Sequence, residues 1–179
     1  MKEMLKLGVF LMVVCTLATL GLALTNQQTA PLIAEQKRVE REAALKEVLP
    51  DAATFEETKG QGKTYYLGRD ESGKAVGAAF EVRPKGYGGE IVIMVGVDTE
   101  RRVTGIKILE IAETPGLGAK AGAAAFTEQF KGKTAAQVWL KDKDEQKGEI
   151  DAITAATITS KAVTKGVREG VEEIQNVLP

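Results

Sequence analysis

The sequence predicts an α+β domain with a largely antiparallel sheet and flanking helices, carried behind one N-terminal membrane-spanning helix. Three observations predict it. Residues 7–24 are uncharged and mostly Leu, Val, Ala, Phe and Met. Between residues 55 and 111, short β-type segments alternate with Gly-rich turns. Near the C-terminus, Val163, Val167, Val171, Ile174 and Leu178 step by four, four, three and four, an amphipathic helical stripe.

The apolar run comes first. Eighteen helical residues span about 27 Å, close to the roughly 30 Å hydrocarbon core of a bilayer. No charge returns until Glu35, so the span extends to about residue 28. Lys2 and Lys6 precede it, and the positive-inside rule then places residues 1–6 in the cytoplasm and the body of the chain outside. A cleaved signal peptide is the competing reading. It requires a shorter apolar region ending in a small-x-small site, and the exit Gly21-Leu-Ala-Leu-Thr-Asn-Gln27 has no clean one, so a retained anchor is preferred. Cys15 inside the span reads as a small apolar packing residue.

Residues 29–50 read as a helical stalk, with a weak stripe of Leu32, Ile33, Val39, Ala43, Leu45 and Val48, stopped at Pro50-Asp51. Residues 51–179 form the domain, about 125 residues and enough for one core. Phe55–Lys59, Thr64–Gly68 and Lys74–Val82 read as strands. Gly86-Tyr87-Gly88-Gly89 is a flexible loop of close approach. Ile91-Val-Ile-Met-Val95 is a continuous apolar run suited to a strand buried on both faces. Asp98–Arg102 is a turn, so Val103–Ile111 is its antiparallel neighbour. Glu113-Thr-Pro-Gly-Leu-Gly118 is a second Gly-rich loop, and Ala119–Phe130 reads as an Ala-rich helix. Lys131–Gly148 is polar and irregular around the apolar island Val138-Trp139-Leu140. The last helix runs from about Thr157 to Leu178.

Composition removes several functions. Net charge is −1, which offers nothing to nucleic acid. One cysteine and no histidine leave no ligands for an iron–sulfur cluster or a Cys/His zinc site, and no Ser-His-Asp triad. Redox work, if any, falls to an organic cofactor.

The segment Asp151-Ala-Ile-Thr-Ala-Ala-Thr157-Ile-Thr-Ser160 lies where the last helix begins. Free amides and the positive dipole end make such a start a seat for phosphate. Ala155 and Ala156 allow close backbone approach, and Thr154, Thr157, Thr159 and Ser160 offer hydroxyls. Lys161 and Lys165 sit in the first turns, against the macrodipole and four residues apart with like charge. Both features suit a bound anion. The competing reading is that Thr154 or Thr157 caps the helix and Lys165 pairs with Glu169.

The segment resembles the flavinylation motif Asp-x-x-(Ser/Thr)-Gly-Ala-Thr of the FMN-binding subunits of bacterial respiratory complexes. Asp151, Thr154, Ala156 and Thr157 match, and Ala155 stands at the usual glycine, which serves a positive φ or contact with the modifying enzyme. Glu113–Gly118 is similar to the family's Glu-Thr-Pro-Gly-Leu-Gly loop at all six positions, and Gly86–Gly89 to its Gly-Tyr loop. Within the family the pattern is most similar to the G-type subunits of Rnf (Rsx) ion-translocating complexes; the related C-type subunits of sodium-pumping NADH:quinone oxidoreductases are usually longer.

The resemblance implies FMN joined covalently to Thr157 as a phosphoester. Its phosphate rests at the helix start near Thr154 and Ser160, with Lys161 as charge partner. Thr114, Gly116, Leu117 and Gly118, and Tyr87 more weakly, lie against the ring. It implies a separate flavin transferase that recognises Asp151, Thr154, Ala156 and Thr157. It further implies partner subunits in a complex coupling ferredoxin and NAD to Na⁺ or H⁺ movement, in the cell inner membrane with the domain on the extracytoplasmic side. A flavin-free scaffold module and a reversible FMN sensor are the alternatives.

Overall fold

The computed structural model describes residues 1–60, 63–141 and 148–174. Two compact units arise, Met1–Glu40 and Arg41–Pro179. The first lies within one helix, α1 (Lys2–Val48), which runs unbroken through Pro31. The span and the stalk expected from sequence therefore share a single helix. Its apolar segment is long and apolar enough to cross a membrane, with a mean hydropathy of 2.4 over eighteen residues. Leu7, Phe10 and Leu11 are all exposed there, as a helix designed for lipid requires.

The second unit is built on a five-stranded antiparallel meander, β1 (Thr54–Gly60), β2 (Lys63–Arg69), β3 (Ala75–Val82), β4 (Ile91–Asp98) and β5 (Val103–Ile111), in the order β1-β2-β3-β4-β5. Short turns permit no other pairing between successive strands. The Asp98–Arg102 turn is closed by Asp98, whose Oδ1 accepts from the Glu100 and Arg102 amides at 2.8 and 2.9 Å.

β4 is buried on both faces, as its unbroken apolar sequence requires. Ile91, Ile93, Val95 and Val97 point to one side and Met94 to the other. The first side carries the larger core, closed by α3 (Thr157–Glu173), with Val163, Val167, Val171 and Ile174 essentially without exposure. The expected stripe is thus the core face of α3; Leu178 lies outside the described residues. On the other side the end of α1 packs Ala44, Leu45, Val48 and Leu49 onto Ala79 and Met94. Arg41 pairs with Glu81 at 2.6 Å and Lys107 with Glu47 at 2.8 Å around that contact.

One expected element is different. Ala119–Phe130 is not a single helix but a 3-10 turn (Gly118–Gly122), a one-turn helix α2 (Ala124–Thr127) and a second 3-10 turn (Glu128–Phe130). Ala121, Phe126 and Phe130 must all enter the core. Ala121 and Phe126 are five residues apart, about 140° around an ideal helix, so a straight helix would bury one and expose the other. The chain breaks at Ala123 instead, with extended backbone, and Phe126 meets Phe130 edge-on at 5.4 Å. The island at 138–140 joins the same core. Val138 and Leu140 are buried, Leu140 bridges Ile150, and the Arg168 guanidinium lies 3.5 Å over the Trp139 ring.

Because Ile93 is wholly enclosed between β3, β5 and α3, truncating it leaves a cavity. Ile93→Ala should lower the unfolding free energy by about 2–5 kcal/mol, read as a lower urea midpoint.

Candidate functional site

A cleft of about 520 Å³ opens where three sequence-distant segments meet, within the usual size of small-molecule sites. Its walls are Tyr87 from the loop before β4, Glu113, Thr114, Leu117 and Gly118 from the loop after β5, and Ala155 to Thr159 at the start of α3. Tyr87, Leu117 and Ile158 are 73%, 41% and 56% exposed at its rim. Beyond residue 48, these are the large apolar side chains left exposed among the described residues. An apolar patch gathered around a cleft mouth marks a binding surface.

The loop after β5 folds as its sequence dictates. Pro115 presets φ, Gly116 takes φ +79°, and the Leu117 amide donates to the Thr114 carbonyl at 3.2 Å, the arrangement of a type II turn. Gly116 therefore serves the turn and does not line the cleft, a correction to its expected contact role. Leu117 and Thr114 line the cleft.

Glu113 was not among the sequence-derived candidates, yet it joins all three segments. Its Oε1 accepts from the Tyr87 and Gly88 amides at 2.7 and 3.1 Å, and its Oε2 accepts from the Thr159 hydroxyl at 2.9 Å. A Cβ at Gly86 would lie 2.1 Å from Glu113 Oε1, and one at Gly118 would lie 2.7 Å from both Glu113 Oε2 and Thr159 Oγ1. The two glycines leave room for the carboxylate. The Gly86–Gly89 loop, expected to be flexible, is closed by the Gly86 amide donating to the Gly89 carbonyl at 2.7 Å.

At the start of α3 the N-cap is Ala156, and no side chain caps the helix. The reading of Thr154 or Thr157 as the cap is thereby overturned. Thr154 is exposed and outside the cleft, whereas Thr157 is the first residue of α3 and stands in the cleft wall. No acidic residue occupies the first turn. Amides at the helix start are thus without a protein acceptor of the usual kind, which suits an anion.

Ser160 was expected at the phosphate but is fully buried. Its hydroxyl donates to the Ala156 carbonyl and accepts from the Ile153 amide, both at 2.9 Å. It fixes the preceding turn, because a hydroxyl one helical turn beyond the cap reaches backbone and not solvent. Within that turn Ala155 has φ +61°. A positive φ is the conformation for which glycine is the usual residue. Lys161 is exposed and outside the cleft wall. Lys165 sits 3.7 Å from Glu169 and needs no anion to account for it. Asp151 is exposed, with its carboxylate 3.1 Å from Lys141 Nζ.

A larger groove of about 760 Å³ runs between β2, the segment after β3 and α3. Arg41, Glu57, Glu81, Arg83, Lys85 and Lys165 line it with charges of both signs, and burial pushes the Tyr66 phenol up. It has no helix start, so the smaller cleft is the candidate site.

Residues 86–172 match the FMN-binding domain family and residues 1–48 the RnfG N-terminal region. The chain is 38% identical to the G-type subunit of the Na(+)-translocating ferredoxin:NAD(+) oxidoreductase complex of Acetobacterium woodii, across 98% of this chain and 94% of that one. The chain belongs to the RnfG family. A second RnfG-type relative, from the proton-translocating ferredoxin:NAD(+) oxidoreductase complex of Clostridium ljungdahlii, is 36% identical across 92% and 88% of the two chains. The fold of this RnfG-family chain is shared with NqrC of Shewanella oneidensis, with TM-score 0.54, 22% identity, and 72% and 70% of the chains covered. It is shared also with the C-type subunit of the Na(+)-translocating NADH-quinone reductase of Parabacteroides distasonis, with TM-score 0.55, 21% identity, and 65% and 62% covered.

Alanine at a left-handed position costs backbone energy that glycine avoids. Ala155→Gly should raise stability by about 1 kcal/mol, seen as a higher urea midpoint with an unchanged slope.

Proposed function

We propose that this chain is the electron-carrying flavoprotein subunit of a membrane-bound, ion-translocating ferredoxin:NAD oxidoreductase, with FMN attached through its phosphate to Thr157 Oγ1. The observation that carries the reading is the place of Thr157. Its side chain stands in the cleft wall on the first residue of a 17-residue helix that has no side-chain cap. A phosphate esterified there meets the helix-start amides and the positive dipole end. Thr114, Leu117, Tyr87 and Ile158 supply an apolar, hydroxyl-edged mouth suited to a flat ring. Thr154 and Asp151 are exposed beside it, reachable by a flavin transferase that reads Asp151, Thr154, Ala156 and Thr157.

Bound FMN supplies one- and two-electron chemistry that no side chain of this chain offers. The chain's own residues hold and orient it. Because the link is through the phosphate, the ring is left chemically unaltered and only non-covalent neighbours tune it. The membrane reading places residues 1–6 in the cytoplasm, residues 7–28 in the bilayer, residues 29–50 as a stalk and residues 51–179 outside the cytoplasm, from Lys2 and Lys6 before the span. The remaining members of the complex supply the electron donor, the acceptor and the ion path.

The test is the intact mass of chain produced with its flavin transferase and then denatured. The expected gain is that of FMN less one water, on the peptide containing Thr157. Thr157→Ala should lose this mass and the yellow colour while unfolding at the same urea concentration as the parent. Colour that washes out on unfolding would instead mark a reversible sensor, and a colourless parent would mark a scaffold. Covalent flavin persisting in Thr157→Ala refutes the site.

A further inference from the structure

The buried carboxylate of Glu113 does more than its packing requires. It is 8% exposed and lines the cleft. Its three hydrogen-bond donors, the Tyr87 amide, the Gly88 amide and the Thr159 hydroxyl, are all neutral. Among the described residues, none of the ion pairs of this unit includes it. Burying a carboxylate away from a cation is costly.

A neutral amide of the same shape would satisfy the same geometry. Its oxygen would accept from the Tyr87 and Gly88 amides as Oε1 does. Its NH₂ would face the Thr159 hydroxyl, which rotates and can accept as well as donate. Loop assembly therefore calls for a side chain of this length and shape, not for a charge. A carboxylate has nevertheless been placed in the wall of the cleft that Thr114, Leu117 and Ile158 also line. In a partly desolvated cleft a fixed charge acts on a bound ring more strongly than it would in water.

We infer that Glu113 is a positioning residue that holds the loop before β4 against the start of α3 and, through its fixed negative charge in the cleft, lowers the reduction potential of the flavin. The inference rests on the cleft being the flavin site. Reduction adds electrons to the ring, and a negative charge alongside opposes that addition. The protein thereby keeps its flavin a stronger reductant than a neutral cleft would.

The experiment is a spectroelectrochemical titration of the full-length chain, loaded by its flavin transferase, with Glu113→Gln compared against the parent. The expected result is a shift of about tenfold toward reduced flavin, which is about 30 mV for a two-electron couple. A residue with a merely structural role would leave the potential unmoved, so a loaded Glu113→Gln chain within twofold of the parent overturns the inference. A Glu113→Gln chain that takes up no flavin also overturns the inference, because loop assembly would then need the charge as well as the shape. An unloaded parent chain refutes the function reading itself and is recognised before any variant is compared.

Discussion

Three segments that are distant in sequence, the loop before β4, the loop after β5 and the first turn of α3, converge on one carboxylate. The hydrogen bonds to Glu113 tie Tyr87 and Gly88 to Thr159 across 46 residues of sequence between Glu113 and the helix. The arrangement depends on what is absent as much as on what is present. Gly86 and Gly118 carry no side chains, and each vacated position is filled by a Glu113 oxygen. Adding a methyl group at either would push the carboxylate out and separate the walls of the cleft. The cleft is thus an outcome of packing around a buried polar group, and the polar group is stable there because all its acceptor sites in use are matched by donors.

The sheet makes that convergence possible. β4 is covered on both faces, by α3 on one side and by the end of α1 on the other. Each flanking loop leaves the sheet at the end nearest the start of α3, so the loops have no freedom to diverge once the core closes. The contact with the end of α1 adds polar detail. The Thr104 hydroxyl donates to the Val48 carbonyl, satisfying one of the acceptors left open where the helix ends before Pro50.

The start of α3 is an unusual helix terminus. A side chain commonly accepts from the first amides, and here none does. The turn before it is instead held from behind by Ser160, with Ala155 in a left-handed conformation. This rigid, open end is a place where an anion is welcome and where a threonine hydroxyl is fixed in position. Two kinds of stabilisation are therefore set aside at one spot, the cap and the unstrained backbone, which is typical of residues retained for a site and not for the fold.

Much of this protein was legible from the chain alone, because the relevant signals are local. Apolar runs and glycine turns located all five strands to within a few residues. The stripe from Val163 to Ile174 located the core face of α3, and the uncharged run located a helix able to span a membrane. Thr157, Thr114, Leu117, Gly118 and Tyr87 were placed in one site by their motifs, and the structure brings all five to one cleft. What the chain alone left undecided depends on contacts between distant residues. Ala119–Phe130 has helical composition, but the spacing of Ala121, Phe126 and Phe130 obeys the shape of the core and breaks the helix. Ser160 and Gly116 carry the residue types of a binding site, yet the first is turned inward to the backbone and the second is spent on a turn. Glu113 opens the Glu-Thr-Pro-Gly-Leu-Gly loop in sequence, but nothing local assigns its carboxylate a role. Only when the sheet, both loops and the last helix are assembled do two amides and a hydroxyl surround it, and no local pattern encodes a meeting of three separate segments.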